Sequence, residues 1–158
     1  MKIDPATGIQ PEIAIPAVPE DERIWVPQAD NVWFRPLLLG VTTGYYVNLL
    51  RVRTQGLLSS HRHGGPVHAL TLRGRWRYLE HDWVANAGDY IYEPPGEAHT
   101  LVVPEDVPEM ISLFHVTAGY IYLDDQGRVV GQEDVFSKLA KAREHYVGRE
   151  AELERLIR

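Results

Sequence analysis

The sequence predicts an all-β protein of one domain, with an extended arm before the sheet region and a helix after it. The length of 158 residues suits a single domain with a sizeable core. Between residues 24 and 132, short segments rich in β-branched and aromatic residues alternate with glycine and proline, as in β-sandwiches and barrels. After residue 132 the composition shifts to Ala, Leu, Glu, Lys and Arg, which favour helix.

The arm is predicted from the prolines of residues 1–23. They are Pro5, Pro11, Pro16 and Pro19. Proline fixes its own φ and lacks an amide donor, so this segment favours an extended backbone outside any sheet. We expect it either to be partly disordered or to be strapped across a neighbouring subunit.

The strands are clearest where turns separate them. Gly74 divides "VHALTLR" from "RWRY" and predicts a tight turn. Pro94 and Pro95 must end the strand "DYIYE", because proline cannot donate to a β-ladder. The segments "EMISLFHVT" and "GYIYLDDQGRVVG" supply the last strands, the second of them as a hairpin.

The C-terminal segment, residues 133–158, predicts a helix packed on the barrel or on a partner subunit. Asp134 is a suitable N-cap, and Gly148 is expected to divide the helix into two pieces. Apolar residues recur near helical spacing at Val135, Leu139, Ala142 and Tyr146.

Composition excludes several functions. The formal net charge of −6 argues against a nucleic-acid partner and against binding to an anionic membrane. The absence of cysteine excludes disulfides, thiolate metal sites and cysteine nucleophiles. No apolar run approaches the roughly 20 residues that span a bilayer, and residues 1–22 lack the apolar region of a secretion signal, so we expect none. We therefore expect a cytoplasmic protein that binds a small molecule.

Histidines are clustered in the segment "SSHRHGGPVHALTLRGRW". In a strand, residues two apart point to the same side, so His61 and His63 share a face and suit two ligands of one metal. His68 opens the next strand after a glycine-proline turn. His99 follows the turn "PPGEAH" and is the best candidate for a third ligand.

Two motifs carry a family resemblance. Gly56, His61-Arg62-His63, His68 and Gly74 resemble the first cupin motif, in which a glutamate usually stands where His68 does. Gly88, Pro94-Pro95-Gly96 and His99 resemble the second motif, with the expected spacing. The resemblance implies a jelly-roll β-barrel whose metal is bound by His61, His63 and His99. His68 is then a fourth ligand, a hydrogen-bonding neighbour of a ligand, or a pocket residue.

The site without glutamate and the C-terminal tail are similar to those of cupins related to 2,4′-dihydroxyacetophenone dioxygenase. More distantly, the sequence resembles acetylacetone-cleaving dioxygenases. These likenesses imply Fe(II), with Zn, Ni or Mn as alternatives, and O₂-dependent cleavage of a C–C bond beside a carbonyl in a small hydroxyketone or diketone. They also imply a homodimer or homotetramer. The alternatives are a metal-dependent isomerase or lyase without redox chemistry, and a zinc-binding or ligand-sensing module without catalysis.

Five further residues are pocket candidates. Trp76, Tyr78 and Glu80 share one strand face, which forms either an aromatic pocket with one carboxylate or an interface patch. Tyr92 is expected to fill core space near the metal. His115 lies on a strand that is a candidate to line the cavity.

Overall fold

The computed structural model describes residues 3, 6–17, 20–53 and 57–158, and its strands form two six-stranded antiparallel sheets. The first sheet has the order β1-β2-β3-β10-β5-β8, and the second has the order β12-β11-β4-β9-β6-β7. The all-β prediction is therefore confirmed. Gly56 of the first motif lies outside the described residues. The strands are β1 (Val26–Ala29), β2 (Val32–Gly40), β3 (Tyr45–Arg53), β4 (Leu57–His63), β5 (Val67–Arg73), β6 (Arg75–Tyr78), β7 (Ala85–Asn86), β8 (Tyr90–Glu93), β9 (Ala98–Val102), β10 (Glu109–Thr117), β11 (Tyr120–Leu123) and β12 (Val129–Glu133).

The main core lies between the two sheets. Along β10, Phe114 and Val116 are buried in that core, whereas Leu113 and His115 alternate with them on the outer face. A smaller apolar cluster covers the outer face of the first sheet. It contains Ile24, Trp25, Leu49 and Ile111.

Gly74 is the point at which the chain crosses from the first sheet to the second. It lies between β5 and β6, which belong to different sheets. Its φ is +70°, and an added Cβ would lie 2.5 Å from the carbonyl oxygen of Glu109. Only glycine fits this left-handed and crowded position without displacing the backbone.

Two helices follow the barrel, α1 (Val135–His145) and α2 (Glu150–Glu154), and Gly148 lies between them with φ +81°. Asp134 caps α1 in a capping box with Ser137. None of the helices in the described ranges is long and apolar enough to cross a bilayer.

The described part of the arm contains no strand. Its only regular element is the short 3₁₀ turn Glu22–Ile24 at its end. The arm lies against the C-terminal region, where Arg158 Nη2 donates to the carbonyl oxygen of Pro11 at 3.2 Å. The C-terminus itself is tied to β2, because the amide of Leu39 donates to the carbonyl oxygen of Leu156 at 2.8 Å.

Candidate metal centre

Two neighbouring strands of the second sheet bring His61, His63 and His99 together. His61 and His63 lie two residues apart at the end of β4, so both point into the barrel. On β9, His99 is paired directly with His61. A register shift between Leu58 and His61 resets the alternation, so Leu58 also faces the interior.

The three imidazoles are close enough to share one ion. One ring nitrogen from each lies within 4.8 Å of the others, and all three side chains are buried. Nδ1 of His61 lies 2.8 Å from the carbonyl oxygen of Ser59, which favours the tautomer with a free lone pair on Nε2. The three histidines predicted as ligands are thus in one place.

A carboxylate from the opposite sheet completes the cluster. Glu93 ends β8 and is 3% exposed. Its Oε2 lies 3.3 Å from His63 Nε2 and 3.5 Å from His99 Nε2. These three atoms are buried and have no hydrogen-bond partner among the described residues. Because unpaired buried polar atoms are costly, their convergence on one point indicates a place for a cation.

Burial sets the protonation states of this cluster. It lowers the pKa of His61 to about 4, of His63 to about 3 and of His99 to about 2. The imidazoles are therefore neutral at pH 7, as metal ligands must be. Burial also raises the pKa of Glu93 to about 7, and a nearby cation would favour its ionised form.

The donor set fits a divalent metal. An ion that holds tetrahedral ligands at about 2.1 Å places them about 3.4 Å apart. The distances from Glu93 Oε2 to His63 Nε2 and His99 Nε2, 3.3 and 3.5 Å, match this value, and the imidazole nitrogens lie within 4.8 Å of one another. Imidazole and carboxylate donors suit Fe(II), Zn(II), Ni(II) and Mn(II) alike.

Two tyrosines hold the donors in position. The ring of Tyr78 stacks on His99, with centroids 3.8 Å apart, and its hydroxyl donates to Glu93 Oε1 at 2.6 Å. The ring of Tyr120 lies 4.9 Å from that of His61 and 5.2 Å from that of His63. Buried neighbours of this kind fix the orientation of metal ligands.

His81 and Glu97 extend the cluster toward the surface. His81 Nε2 lies 3.1 Å from Glu97 Oε1, and one ligand atom from each also lies within 4.8 Å of one from His99. Both side chains are partly exposed. His99 belongs to both groups and can serve only one of them. The group with His61 and His63 is the better metal site, because all three of its side chains are buried.

A small cavity inside the barrel adjoins His61 and His63. Its volume is about 30 Å³, room for about two water molecules. Its walls are mostly apolar, and parts of the chain other than β4 and β9 also contribute polar side chains. The walls are formed by Gln28, Tyr46, Asn48, Leu50, Leu58, His61, His63, Tyr78, Leu101, Phe114, Val116, Tyr120 and Lys138.

Helix α1 contributes Lys138 to this cavity. The side chain is 2% exposed, and its ammonium lies 4.3 Å from the centroid of the Phe34 ring. It contacts Gln28 Oε1 and lies 3.8 Å from Glu133 Oε2. Burial lowers the pKa of Lys138 to about 7. The cavity therefore has a basic group in its wall besides the imidazoles.

His68 does not join the metal centre, which corrects the prediction of a fourth ligand or a hydrogen-bonding neighbour. On β5, Val67 and Ala69 fill the core, so His68 between them points to the outer face of the first sheet. There its Nδ1 lies 2.7 Å from the hydroxyl of Tyr90. The motif aligned His68 with a ligand, but the strand register turns it away.

Tyr92 and His115 are also outside the pocket, contrary to the prediction. They pair with His68 on either side, and Tyr92 is 54% exposed. On β8 it is Ile91 and Glu93 that face inward. Tyr92, His115, His68 and Tyr90 thus form an aromatic patch on the outer face.

The predicted row of Trp76, Tyr78 and Glu80 is divided. Trp76 and Tyr78 face inward, but only Tyr78 of the three lines the cavity described above. Trp76 packs behind it, 5.7 Å from the ring of Phe114. Glu80 lies beyond the end of β6, where it is exposed and accepts a hydrogen bond from the amide of Thr100 at 2.8 Å.

The sequence analysis missed Glu93 and Lys138. The signal for Glu93 is its position two residues after Ile91 in the strand that leads to Pro94, which makes it an acid on an apolar face. The signal for Lys138 is its position three residues after Val135, on the buried side of α1.

Two facing antiparallel sheets, with an inward His-x-His pair on one strand and a third histidine on its neighbour, define this protein as a cupin. More narrowly, the chain belongs to the family of ChrR cupin-like domains, whose family model matches residues 16–119. Membership of the cupin superfamily, predicted from the two motifs, is confirmed. No curated protein matches the sequence.

Solved structures share the fold. An RmlC-like cupin protein from Ralstonia eutropha JMP134 is 27% identical, with a TM-score of 0.74, over 78% of this chain and 82% of its own. An acetylacetone dioxygenase from Acinetobacter johnsonii is 16% identical, with a TM-score of 0.72, over 87% of this chain and 97% of its own. The anti-sigma ChrR complex with SigE from Rhodobacter sphaeroides gives 20% identity and a TM-score of 0.51, over 66% of this chain and 71% of the matched chain. The last two likenesses concern the fold alone.

Proposed function

We propose that this protein is a mononuclear Fe(II) dioxygenase that cleaves the C–C bond beside a carbonyl in a small hydroxyketone or diketone. The observation that carries this proposal is the convergence of three buried neutral imidazoles and Glu93 beside a small, largely apolar cavity. The fold shared with an acetylacetone dioxygenase supports it.

His61, His63 and His99 would hold the metal, with Glu93 as a fourth donor. Bound Fe(II) would supply redox chemistry with O₂ and Lewis acidity toward the substrate oxygens. Glu93 changes the charge expected from the sequence, because three imidazoles alone leave the ion at 2+ and one carboxylate reduces the site to 1+. The site still favours a substrate that binds as an anionic enolate or alkoxide.

The cavity limits the substrate. Its 30 Å³ is room for about two water molecules, so its walls would have to move for any carbonyl substrate to enter, and an aromatic ring would need more movement than a short aliphatic chain. Lys138 adds a basic group with a pKa of about 7, and its protonated form complements an enolate. The reaction balances as R–CO–CH₂OH plus O₂ giving R–COOH and HCOOH, with both oxygen atoms retained in the products.

The test is O₂ uptake by protein loaded anaerobically with Fe(II). Hydroxyacetone, acetylacetone and 2,4′-dihydroxyacetophenone are offered, and products are identified by mass spectrometry. We expect O₂ consumption matched by carboxylate formation. His99→Ala should lose this activity, whereas His115→Ala, a matched histidine on the outer face, should keep it. Absence of uptake with bound iron shown by metal analysis would refute the dioxygenase.

A metal-binding module without catalysis is the competing proposal, because the family is that of the ChrR cupin-like domain and ChrR is an anti-sigma protein in its solved complex with SigE. This reading predicts tight Zn(II) binding at the same histidines and no turnover of any carbonyl compound. Turnover without O₂ consumption would instead indicate an isomerase or lyase. The O₂ electrode and product analysis therefore separate all three functions.

A further inference from the structure

Arg35 is a buried arginine without an acidic partner. It lies on β2, on the outer face of the first sheet, and is 7% exposed. Its recorded hydrogen bond is long, from Nη1 to the carbonyl oxygen of Pro16 at 3.4 Å. No carboxylate among the described residues lies within 4.0 Å of its guanidinium. None of its nitrogens is among the fully buried atoms without a hydrogen-bond partner, so the guanidinium remains accessible from the cavity beside it.

Arg51 on the adjacent strand shows how this protein pairs such a group with a carboxylate, although its Nε has no partner among the described residues. It is also buried, with a side chain 3% exposed. Glu22 accepts from both of its terminal nitrogens, at 3.0 and 2.8 Å. The guanidinium also lies 4.4 Å from the ring of Trp25. Arg35 has no equivalent of Glu22, although the same sheet face presents both side chains.

A cavity of about 300 Å³ lies over Arg35. Its floor is β2, one wall is the N-terminal arm, and the other wall is formed by Tyr146 and the α2 region. Apolar groups such as Ile13, Ile15 and Leu156 form most of the lining. This volume is at the lower end of the range for small-molecule sites, and the mixture of apolar walls with one buried charged side chain, Arg35, is typical of them.

We propose that this cavity binds a small organic monocarboxylate, with Arg35 as the group that recognises the carboxylate. A planar carboxylate matches the guanidinium fork and would pair with it as Glu22 pairs with Arg51. Isoleucine, proline and leucine side chains would cover the apolar body of the ligand. A dianionic phosphate fits less well, because Glu152 also lines the cavity.

Glu152 does not take this role itself. Its side chain is 57% exposed, and its carboxylate lies 3.9 Å from Arg149. Arg155 also lines the cavity but is exposed. Burial lowers the pKa of Arg35, which agrees with an unpaired guanidinium.

This site is separate from the metal centre. No residue lines both cavities, and Arg35 lies on the outer face of the sheet, whereas the histidines point into the barrel. The proposal therefore does not depend on the proposed reaction, and it can be tested on metal-free protein.

The experiment is a titration of metal-free protein with benzoate and, separately, with benzamide, the neutral isostere of benzoate. Binding is monitored by calorimetry and by ¹H–¹⁵N NMR. We expect benzoate to bind and to shift the amides of Ile13 and Ile15, and benzamide to bind at least about tenfold more weakly, as expected for a buried charge-assisted pair. Arg35→Lys should weaken benzoate binding, and Arg35→Met should abolish it. His99→Ala should leave it unchanged, which excludes the metal centre as the place of binding.

Thermal unfolding gives a second readout. Arg35→Met removes an unpaired buried charge, so it should unfold at the same temperature as the wild type or higher and lose the stabilisation by benzoate. Arg51→Met breaks a satisfied pair and should lower the unfolding temperature. Equal binding of benzoate and benzamide, benzoate binding that survives in Arg35→Met, or no binding at 10 mM (roughly the limit of interest for a specific site) would overturn the proposal. So would a loss of stability in Arg35→Met as large as that in Arg51→Met.

Discussion

Oε2 of Glu93 lies 3.3 Å from Nε2 of His63, although the two residues belong to opposite sheets. Through this contact, Glu93 approaches the histidine cluster from the sheet opposite the one that carries the three histidines. The contact is made by the last residue of β8, immediately before Pro94 ends that strand. The anionic group that the first motif lacks at His68 is thus provided by the second motif.

We expect Glu93→Gln to weaken metal binding about 10- to 100-fold, because the variant removes the carboxylate charge while keeping the size of the side chain. Chelator competition with Zn(II) and with Fe(II) under nitrogen measures the affinity. Glu80→Gln is the control, since Glu80 is exposed and bonded to the amide of Thr100. Equal affinities of Glu93→Gln and wild type would show that Glu93 does not touch the ion.

The sequence identifies the histidine cluster because strand alternation is a local rule. His61 and His63 share a face whatever the rest of the fold does. The position of His68 depended on the exit angle of a glycine-proline turn, and that angle is set by pairing with β8 and β10, far away in the sequence. Motif alignment therefore placed His68 on the wrong face.

The groups that approach from other elements were also beyond the reach of local patterns. Glu93 meets His63 only because the two sheets face each other. Lys138 reaches the cavity only because α1 packs against the first sheet, where the ammonium lies over Phe34. Both facts come from tertiary packing, which one sequence does not encode in its periodicity.

A bound metal should stabilise the fold through His61, His63 and His99, and His68 should not contribute. We expect Zn(II) to raise the unfolding temperature of the wild type and of His68→Ala, because an ion that binds only the native state adds stability by mass action. His63→Ala should lose that increase. Calorimetric scans with and without Zn(II), after chelator treatment, make the comparison. A loss of the metal response in His68→Ala would return that residue to the ligand set.

The stability of the metal-free protein should fall as the pH is lowered. Burial lowers the pKa values of His61, His63 and His99 below the ordinary 6.5 in the folded protein. The pKa of His61 falls to about 4. The unfolded chain therefore binds more protons below pH 6.5, and the free energy of unfolding decreases from there toward pH 4. Glu93 acts in the opposite direction between pH 4.5 and about 7, because its pKa is raised on folding.

Three histidines against one glutamate leave a net slope of up to about 2.7 kcal/mol per pH unit. Urea unfolding at intervals between pH 4.5 and 6.5 measures this slope on chelator-treated protein. His99→Gln should reduce it by about one proton, or about 1.4 kcal/mol per pH unit. An unchanged slope in this variant would mean that His99 titrates normally in the folded state.

Gly74 and Gly127 make a matched test of the link between the sheets. Both have left-handed φ values, +70° and +74°, but an added Cβ meets the Glu109 carbonyl oxygen at 2.5 Å in the first case and nothing within 4 Å in the second. Each alanine substitution carries the conformational cost of about 1–2 kcal/mol, and Gly74→Ala adds a steric clash with the backbone of β10. We expect Gly74→Ala to lose at least about 1 kcal/mol more than Gly127→Ala, as for other overpacked interior sites. Urea unfolding midpoints at pH 7 measure both losses of stability. Equal losses would mean that β10 moves to accommodate the added methyl group and that the turn between β5 and β6 is not closely packed.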